Sequence, residues 1–357
     1  MSLLDQQNLD GILAVDIGSG TQDILIYRPG VEMENNVKLI LPSQTRIVGW
    51  QIKKLTEAGR DIFIHGHLMG GGSSSGAIKD HIKAGHNVYA TREAALTIKD
   101  DLEKVAARGV RVVDTQPENC VPVEFKDIDI TALREALKPF GIELPSVFAF
   151  AVQDHGFSPD RSNRQFRFEH WERFLASGGG LGDLLYDQNS LPGYFTRIKA
   201  VMESCREEAG QIWAMDTGAA AIMGTLEDPK VREAAENGGC MLVNVGNQHT
   251  IAFLVVGSRV YGVFEHHTGR LSADSLRDYL VRFRKGSLTH EEVFSEHGHG
   301  CAILLEAGYH SFDFVSVTGP RRDLAEGLGY MAVPHGDMMI SGAAGLVRSV
   351  LNKRGGN

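Results

Sequence analysis

A glycine-rich turn follows an apolar run near the start of the chain and carries residue types that suit phosphate binding. Its members are Asp16, Gly18, Ser19, Gly20 and Thr21. Glycine has no Cβ, so backbone N–H groups in such a turn can approach phosphate oxygens closely, and the hydroxyl of Thr21 adds a donor. A carboxylate such as Asp16 can hold a hydrated magnesium ion. A plain hairpin with a glycine-rich turn explains the same pattern, and the turn alone does not decide between the two.

A second turn of the same layout follows another apolar run in the last third of the chain. It contains Asn244, Gly246, Asn247 and Thr250. Two such hairpins that faced each other would clamp a polyphosphate from both sides, although this segment alone also fits an ordinary hairpin.

Two commoner phosphate motifs are excluded. The chain has no G-x-x-x-x-G-K-[ST] sequence, and Asp23 stands where the dinucleotide fingerprint needs its third glycine.

Asp216 follows a short apolar run, Ile212–Met215, and precedes a segment of small residues that predicts a helix. A carboxylate at this place can accept a proton from an attacking hydroxyl group or water. Aspartate is equally suited to cap the N-terminus of a helix. One residue can do both, so the sequence leaves the general base and the helix cap as alternatives.

Two further regions carry polar groups whose roles the sequence leaves open. The stretch Gly66–Gly76, rich in glycine and serine, precedes a predicted helix. It could bind an anion at the helix N-terminus or shape the pocket of a second substrate, with Lys79 and His81 nearby. Asp154 and His155 follow a buried apolar run, where ligands of α/β proteins commonly bind, and could instead form a satisfied polar pair in a loop.

Arginines and histidines give two more candidates. Arg161, Arg164 and Arg167 could grip an acidic substrate or form a solvated basic face. Three close histidine pairs could bind metal, since neutral imidazole is a good ligand, or could simply line loops. The pairs are His65 and His67, His266 and His267, and His297 and His299.

The apolar runs predict how these groups are positioned. Ile12–Val15 and Ile24–Tyr27 flank the first turn as a hairpin, and Val37–Leu41 adds a third strand. The middle of the chain alternates short apolar runs with helical patterns, which predicts an α/β region. A strand–turn–strand–strand unit recurs over Met241–Phe264, so the sequence predicts an internal duplication. A C-terminal helix is predicted to begin near Asp337.

Five segments, in order along the chain, resemble the motifs of the actin, heat-shock-chaperone and sugar-kinase superfamily. They are Asp16–Asp23 for the first phosphate motif, Ala214–Ala221 for the first connecting helix, Asn244–Thr250 for the second phosphate motif, Val315–Pro320 for the adenosine motif and Ser341–Gly345 for the second connecting helix. They span nearly the whole chain. The resemblance implies an α/β, two-lobe actin-like ATPase fold, of duplicated ribonuclease H-like type, that binds ATP with Mg²⁺ between its lobes.

The resemblance also implies where the lobes lie and what the motif residues do. Residues 1–212 would form lobe I with an inserted middle region, residues 213–336 would form lobe II, and a helix over 337–357 would return to lobe I. Asp16 and Asp216 would be the catalytic residues, with Asp16 organising Mg²⁺ through water. The nucleotide would be bound by Gly18, Ser19, Gly20, Thr21, Asn244, Gly246, Asn247, Thr250, Thr318 and Gly319.

Within this superfamily the chain looks most like a group labelled as similar to pyruvate formate-lyase activating enzymes, through Val152–Gly156 and Asn163–Phe168. A radical activase of that kind needs three closely spaced cysteines for an iron–sulfur cluster. The four cysteines of this chain are far apart, so the label does not enter the predicted function. They are Cys120, Cys205, Cys240 and Cys301. Asn244 departs from the superfamily pattern, which has Asp there, so this lobe brings no charge to a metal and fast hydrolysis is not expected.

Composition limits the partners. The 357 residues carry a formal net charge of -9 without a cluster of Lys and Arg, which argues against nucleic acid. No apolar run approaches the about 20 residues that cross a bilayer, and Met1–Asp10 has no signal-peptide core, so the cytoplasm is expected.

Three functional hypotheses remain. The first is an ATP-binding, Mg-dependent phosphotransferase or ATPase that acts on an unidentified small molecule. The second is an ATP-gated switch or activator with weak hydrolysis, whose state a partner protein recognises. The third is a nucleotide- or ligand-binding protein with little turnover.

Overall fold

The computed structural model describes residues 11–355, and its strands and helices are numbered in chain order. The strands are β1 (Ile12–Ile17), β2 (Thr21–Tyr27), β3 (Val37–Pro42), β4 (Ile62–Gly66), β5 (Val88–Ala90), β6 (Val110–Val112), β7 (Val121–Phe125), β8 (Val147–Val152), β9 (Gln211–Met215), β10 (Cys240–Val245), β11 (His249–Val256), β12 (Arg259–His267), β13 (Gly300–Ile303), β14 (Phe314–Thr318) and β15 (Tyr330–Met331). The helices are α1 (Gln44–Glu57), α2 (Gly72–Lys83), α3 (Arg92–Ala95), α4 (Leu102–Ala106), α5 (Ile130–Leu137), α6 (Asn163–Ala176), α7 (Thr196–Ser204), α8 (Thr217–Thr225), α9 (Pro229–Glu236), α10 (Ala273–Arg284), α11 (His290–Ser295) and α12 (Ser341–Gly355).

The first sheet has the strand order β3-β2-β1-β8-β9. The predicted hairpin forms between β1 and β2, which pair antiparallel with Asp16 opposite Asp23, and β3 continues the meander. On its other side β1 pairs in parallel with β8, and β8 with β9. Every residue of β8 is buried, as expected for a strand that is covered on both faces. Because parallel strands end at the same edge, the turn after β1 lies beside the chain that leaves β8.

The second sheet repeats this arrangement in the order β13-β12-β11-β10-β14-β15. Strands β10, β11 and β12 form the antiparallel meander, and β14 and β15 add in parallel. Strands β10 and β14 therefore occupy the places of β1 and β8. Asn244 takes the place of Asp16, one residue before the end of its strand. The predicted internal duplication is confirmed, and with it the α/β fold built from two ribonuclease H-like units.

Hydrophobic clusters cover both faces of the two sheets. Alternate residues of β1 point to opposite faces, as strand geometry requires. Ile12 and Ala14 pack into a cluster that also contains α8, α12 and the inner face of the second sheet. Leu13 and Val15 pack toward α5 and α7 on the outer face. The packed helices α8 and α12 thus lie in the core that joins the two duplicated units.

The predicted α/β middle region forms a separate sheet of parallel strands in the order β6-β5-β4-β7. The start of its helix α2 corrects the prediction, which placed residues 72–76 in a loop. The helix begins at Gly72 because Thr45 supports its first turn from outside. The Thr45 hydroxyl donates to Gly71 O at 2.8 Å and accepts the N–H of Ser74 at 3.1 Å. Glycine- and serine-rich composition alone does not reveal such a distant partner.

Helices α8 and α12 cross at very short distance. A Cβ on Gly224 would lie 1.7 Å from Ser341 O, and a Cβ on Gly345 would lie 2.0 Å from Ala220 O. Side chains larger than hydrogen at these two positions are incompatible with the crossing. The C-terminal helix begins at Ser341 rather than near Asp337, because Asp337 caps a short 3-10 turn, Met338–Ile340, that precedes it.

The lobe boundaries stay a prediction. The proposed division between residues 212 and 213 falls inside β9, which belongs to the first sheet. Residues 1–10 and 356–357, which the prediction assigned to lobe I, lie outside the described residues.

Within residues 11–355, none of the helices is both long and apolar enough to span a membrane.

The helix crossing predicts that Gly345→Ala destabilises the protein. The added methyl group has to force the two backbones apart, and overpacking of this kind costs about 1–3 kcal/mol. Chemical denaturation followed by circular dichroism measures the change. Gly76→Ala is the matched control, since Gly76 lies in helix α2 with no heavy atom within 4 Å of its added Cβ. We expect this control to be neutral or stabilising by up to about 1 kcal/mol. Equal effects of the two substitutions would contradict the close crossing.

Candidate functional site

The two glycine turns lie at one cleft of about 360 Å³ that is lined by residues from both sheets. Each turn closes through the same backbone hydrogen bond. The N–H of Gly18 donates to Thr21 O at 2.9 Å, and the N–H of Gly246 donates to His249 O at 2.9 Å. The duplication therefore extends from the strand order down to the hydrogen bonding of the turns.

Most of the predicted nucleotide-binding residues line this cleft. A Cβ on Gly20 would lie 3.0 Å from Nδ2 of Asn247, so the tips of the two turns are in contact. The predicted residues that line the cleft are Asp16, Gly18, Ser19, Thr21, Asn244, Gly246, Asn247 and Gly319. The structure brings them together, and their contact with a nucleotide stays a prediction.

Three predicted residues lie behind the lining. The buried hydroxyl of Thr250 is 3.0 Å from that of Thr268, and the buried hydroxyl of Thr318 is 3.3 Å from that of Ser341. Asp216 is also buried, in an ion pair. In this conformation all three side chains have protein partners.

Gly319 lies in the turn after β14 and has a φ of 101°, in the left-handed region that favours glycine. A Cβ there would lie 2.5 Å from Val245 O and 2.6 Å from Oδ1 of Asn244. The turn therefore packs directly on the end of β10. This close packing holds the predicted adenosine turn beside the second phosphate turn.

Asp16 and Asp23 form an acidic pair on the first hairpin, opposite each other across β1 and β2. Burial raises the pKa of Asp16 to about 7, and burial together with the charge of Asp16 raises the pKa of Asp23 to about 8. Thr217 donates to Oδ1 of Asp16 at 2.5 Å. Oδ1 of Asp23 is buried and has no hydrogen-bond partner in the described part of the chain.

Two neighbouring carboxylates with spare oxygen atoms fit Mg²⁺, which prefers oxygen ligands. The sequence motif predicts only Asp16 as a metal-binding residue. Asp23 lies beside Asp16 because β1 pairs with β2, and the alternation of β2 residues in the predicted hairpin could have indicated this position.

Arg167 is 2% exposed and is held between two carboxylates. Its Nη1 and Nη2 donate to Oδ2 and Oδ1 of Asp216 at 2.8 and 3.1 Å, and its Nε donates to Oε2 of Glu265 at 2.6 Å. Asp216 also accepts the N–H of Gly218 at 2.9 Å, so it caps helix α8. The helix-cap alternative is thus present in the structure. The general-base alternative stays a prediction for a carboxylate whose two oxygens already accept hydrogen bonds.

The predicted basic face of three arginines does not form. Arg161 pairs on the surface with Glu169 at 2.7 Å, and Arg164 donates to Gly298 O, whereas Arg167 is buried. The three guanidinium groups therefore have separate partners and do not form one cluster. Their sequence spacing gave no sign of the carboxylates that capture Arg167, because these come from β12 and the start of α8.

The carboxylate of Asp154 is satisfied by backbone groups rather than by His155, and both residues line the cleft. The carboxylate accepts three backbone N–H groups at 2.8–3.0 Å, those of Gly156, Arg197 and Ile198. Arg197 in turn makes a bidentate pair with Asp127, which also accepts the N–H of Gly70 at 3.1 Å. This chain of contacts fixes the loop Gly70–Gly72, which forms one wall of the cleft.

The histidines come together in a way that the close pairs did not predict. Nδ1 of His67 lies 3.1 Å from Glu93, and His297 is exposed. Three histidines from distant segments instead present their ring nitrogens within 4.8 Å of one another: His155, His249 and His299. Burial lowers the pKa of His155 and His299 well below the usual range for histidine, so both imidazoles are neutral.

A family model matches residues 69–324, most of the chain. It is described as "putative pyruvate format-lyase activating enzyme (DUF1786)". The chain belongs to this family. The match confirms the group that the sequence resembles, and no curated protein matches the chain.

The cysteines of this family member do not fit the iron–sulfur cluster that the family's description suggests. All four are buried and unpaired. Cys205, Cys240 and Cys301 lie in three different hydrophobic clusters, and burial raises the pKa of Cys205 to about 11 and of the other two to about 12. Thiols that remain protonated and apart from one another do not ligate a common cluster.

Solved structures of actin-like ATPase fold align over nearly the full length of this DUF1786 member. One is a protein of unknown function from Bacteroides thetaiotaomicron, with 8% identity and a TM-score of 0.39 over 97% of this chain and 99% of that chain. Another is described as "a putative sugar kinase" from Cytophaga hutchinsonii, with 8% identity and a TM-score of 0.33 over 95% and 99%. The repeated strand order of the two sheets, rather than these low scores, determines that the fold is of the actin-like ATPase type.

The acidic pair predicts how stability depends on pH in the presence of a chelator. Both carboxyl groups bind a proton more tightly in the folded chain than in the unfolded chain, where the pKa is about 3.8. Their contribution to stability is therefore complete below about pH 4 and is lost as pH rises through 7 and 8. Asp23→Asn removes one such group, so this variant should lose less stability than the wild type as pH rises. Its free energy of unfolding, relative to that of the wild type, should increase by at least about 1 kcal/mol from pH 5 to pH 9. Urea denaturation across this pH range measures the difference, with Asp274→Asn, a substitution of an exposed residue, as the control. If the free energy of unfolding of Asp23→Asn and that of the wild type change in parallel with pH, the prediction is wrong.

The buried arginine predicts a large effect of Arg167→Met. This substitution keeps much of the side-chain volume and leaves Asp216 and Glu265 buried without their counter-charge. Loss of one member of such a network costs about 3–5 kcal/mol. The control is Arg161→Met, which removes a half-exposed pair worth at most about 1 kcal/mol. Thermal and chemical unfolding compare the two, and a loss below 1 kcal/mol for Arg167→Met would show that the network does not stabilise the fold.

Proposed function

We propose that this protein binds Mg-ATP in the cleft between its two glycine turns and transfers the γ-phosphoryl group to a small molecule or to water. The observation that supports this most strongly is the contact between the two turns, where Gly20 meets Asn247 beside the acidic pair. A turn from each duplicated unit can then reach one polyphosphate from opposite sides. The cleft volume lies within the usual range of about 300–1,000 Å³ for small-ligand sites.

The turns provide donors for phosphate oxygens. Ser19 and Thr21 on the first turn carry hydroxyl groups, and Asn247 on the second carries an amide group, and all three residues line the cleft. Each turn is closed by its own internal hydrogen bond before any ligand arrives, so little conformational entropy is lost on binding.

Asp16 and Asp23 would hold the metal ion on the side of the first sheet. Bound Mg²⁺ supplies charge neutralisation for the β- and γ-phosphoryl oxygens. Asp16 is fixed for this role by the hydroxyl group of Thr217, at the start of α8. Asn244 takes the equivalent place in the second sheet and is uncharged, so the two units would contribute unequally.

Asp216 is the proposed proton acceptor for the attacking hydroxyl group or water. The pair with Arg167 holds both of its oxygens, so proton transfer requires one of these hydrogen bonds to be released. Closure of the two lobes around the substrates is a motion that could change this contact. The acceptor would bind near Gly70, Gly71 and Gly72, which line the cleft.

An ATP-gated switch with weak hydrolysis is the second candidate. Two observations favour it: Asn244 brings no charge, and the carboxylate of Asp216 is occupied by Arg167. In this case nucleotide binding would set the closure of the lobes, and a partner protein would recognise the closed state.

Thermal melting tests nucleotide binding. We expect Mg-ATP to raise the melting temperature, because a ligand at 100 times its Kd adds about 2.7 kcal/mol of stability. Asp16→Asn should remove most of the magnesium dependence of this shift, since it neutralises a metal-binding carboxylate, while the exposed Asp274→Asn should keep it. If wild-type protein shows no shift with Mg-ATP, Mg-ADP or other nucleoside triphosphates, the proposal is wrong.

Release of ADP in the presence of pooled hydroxylated metabolites separates the two candidates. Stimulation by one metabolite supports phosphoryl transfer to a small molecule. If ATP raises the melting temperature but no metabolite stimulates ADP release, the switch is supported. Asp216→Asn should lower turnover at least about 100-fold if Asp216 accepts the proton. Unchanged turnover in a folded Asp216→Asn variant would exclude that role.

A further inference from the structure

We propose that His155, His249 and His299 form a binding site for one divalent transition-metal ion, best matched by Zn²⁺, on the wall of the cleft. The three side chains come from the segment after β8, the first residue of β11 and the segment before β13. The site is distinct from the magnesium site proposed at Asp16 and Asp23, and its test does not depend on nucleotide binding.

The geometry of the ring nitrogens fits a shared ion. Nε2 of His155 and Nε2 of His299 are 3.2 Å apart, and one nitrogen of each of the three rings lies within 4.8 Å of the others. Zn–N bonds are about 2.0–2.1 Å, so two imidazoles on a tetrahedral zinc ion place their nitrogens about 3.3 Å apart. The observed spacing therefore requires only small side-chain adjustments to ligate an ion.

Glu265 orients one of these rings. Its carboxylate is 0% exposed, and its Oε1 lies 3.1 Å from Nδ1 of His249. When Nδ1 donates this hydrogen bond, Nε2 of His249 keeps its lone pair for a ligand. A carboxylate behind a histidine in this way is the usual support of metal-ligating imidazoles. Gln153 and Arg167 also donate to Glu265 and fix its position.

His299 lacks the partners that a structural histidine normally has. Its side chain is completely buried, and its Nδ1 has no hydrogen-bond partner within residues 11–355. Its Nε2 faces another imidazole, that of His155, rather than an oxygen. Nε2 is therefore the nitrogen of His299 that is placed to ligate an ion, and an ion between the two rings would give the Nε2 atom of each ring a bonding partner.

The surrounding charge favours a cation over an anion. Arg167 carries one positive charge between two negative ones, those of Asp216 and Glu265. The buried network is therefore left with a net negative charge beside the three histidines. An uncompensated buried charge is costly, and a divalent cation on the histidines would offset it, whereas a phosphate group would add to it.

The chemistry of the ligands selects the class of metal. Imidazole suits Zn, Cu, Fe and Ni, whereas Mg²⁺ prefers oxygen ligands. Two of the histidines, His155 and His249, line the cleft. A metal on three histidines would thus keep one coordination position toward the cleft, as catalytic zinc sites do, where water or an oxygen of a bound substrate can complete the coordination.

Metal titration of the untagged, full-length protein tests the proposal. After treatment with a chelator, the wild type should bind Co²⁺ with visible absorption bands typical of tetrahedral nitrogen coordination. These bands should saturate at one equivalent and disappear when Zn²⁺ is added. Glu265→Gln removes the supporting carboxylate and should weaken Zn²⁺ binding about 10–100-fold. His249→Gln and His155→Gln each remove a ligand and should weaken Zn²⁺ binding more than Glu265→Gln does. The control His297→Gln changes an exposed histidine two residues from His299 and should bind as the wild type does.

The wild-type titration decides the outcome even if a variant fails to fold, which circular dichroism monitors. Wild-type protein that binds neither Co²⁺ nor Zn²⁺ at micromolar concentration would overturn the proposal, as would equal affinity in the wild type and a folded His155→Gln/His249→Gln variant. Melting with Mg-ATP in the same zinc-free samples reports on the nucleotide site separately. A negative metal result thus leaves the proposed nucleotide function unaffected.

Discussion

The buried guanidinium group of Arg167 is the interaction on which the site depends. It joins Asp216, at the start of helix α8, to Glu265 on the second sheet, and it also donates to the carbonyl group of Asp154. One side chain of α6 thereby connects the end of β8, the first connecting helix and β12. Glu265 in turn contacts His249 beside the second glycine turn. Charges this deeply buried are tolerated only when they are paired, so the three elements are held in one arrangement.

A second constraint comes from the backbone. The two sheets repeat one strand order, and α8 and α12 cross closely in the core that joins them. The crossing positions Thr217, which donates to Asp16, beside the first turn. The helix that packs against α12 thus also contacts one carboxylate of the acidic pair.

Local patterns were sufficient for much of the fold. The continuous apolar runs of β1, β8 and β10 and the glycines after two of them predict strands and turns, because alternation and turn chemistry act over a few residues. The recurrence of a strand–turn–strand–strand unit predicted the duplication that the sheets confirm. Helix α2 was predicted to begin too late, because its start is supported by Thr45, far away in the sequence.

The sequence by itself determined the duplicated α/β plan and the two glycine turns, and it placed Asp16 and Asp216 at or just after the ends of apolar strands, since strands and turns are encoded in short segments. Only the tertiary structure decided that Arg167 is buried between two carboxylates rather than solvated, and that three histidines from separate segments converge. The physical reason is that pairing between strands and burial of charge are decided by residues far apart along the chain. No window of sequence contains both partners of such a contact.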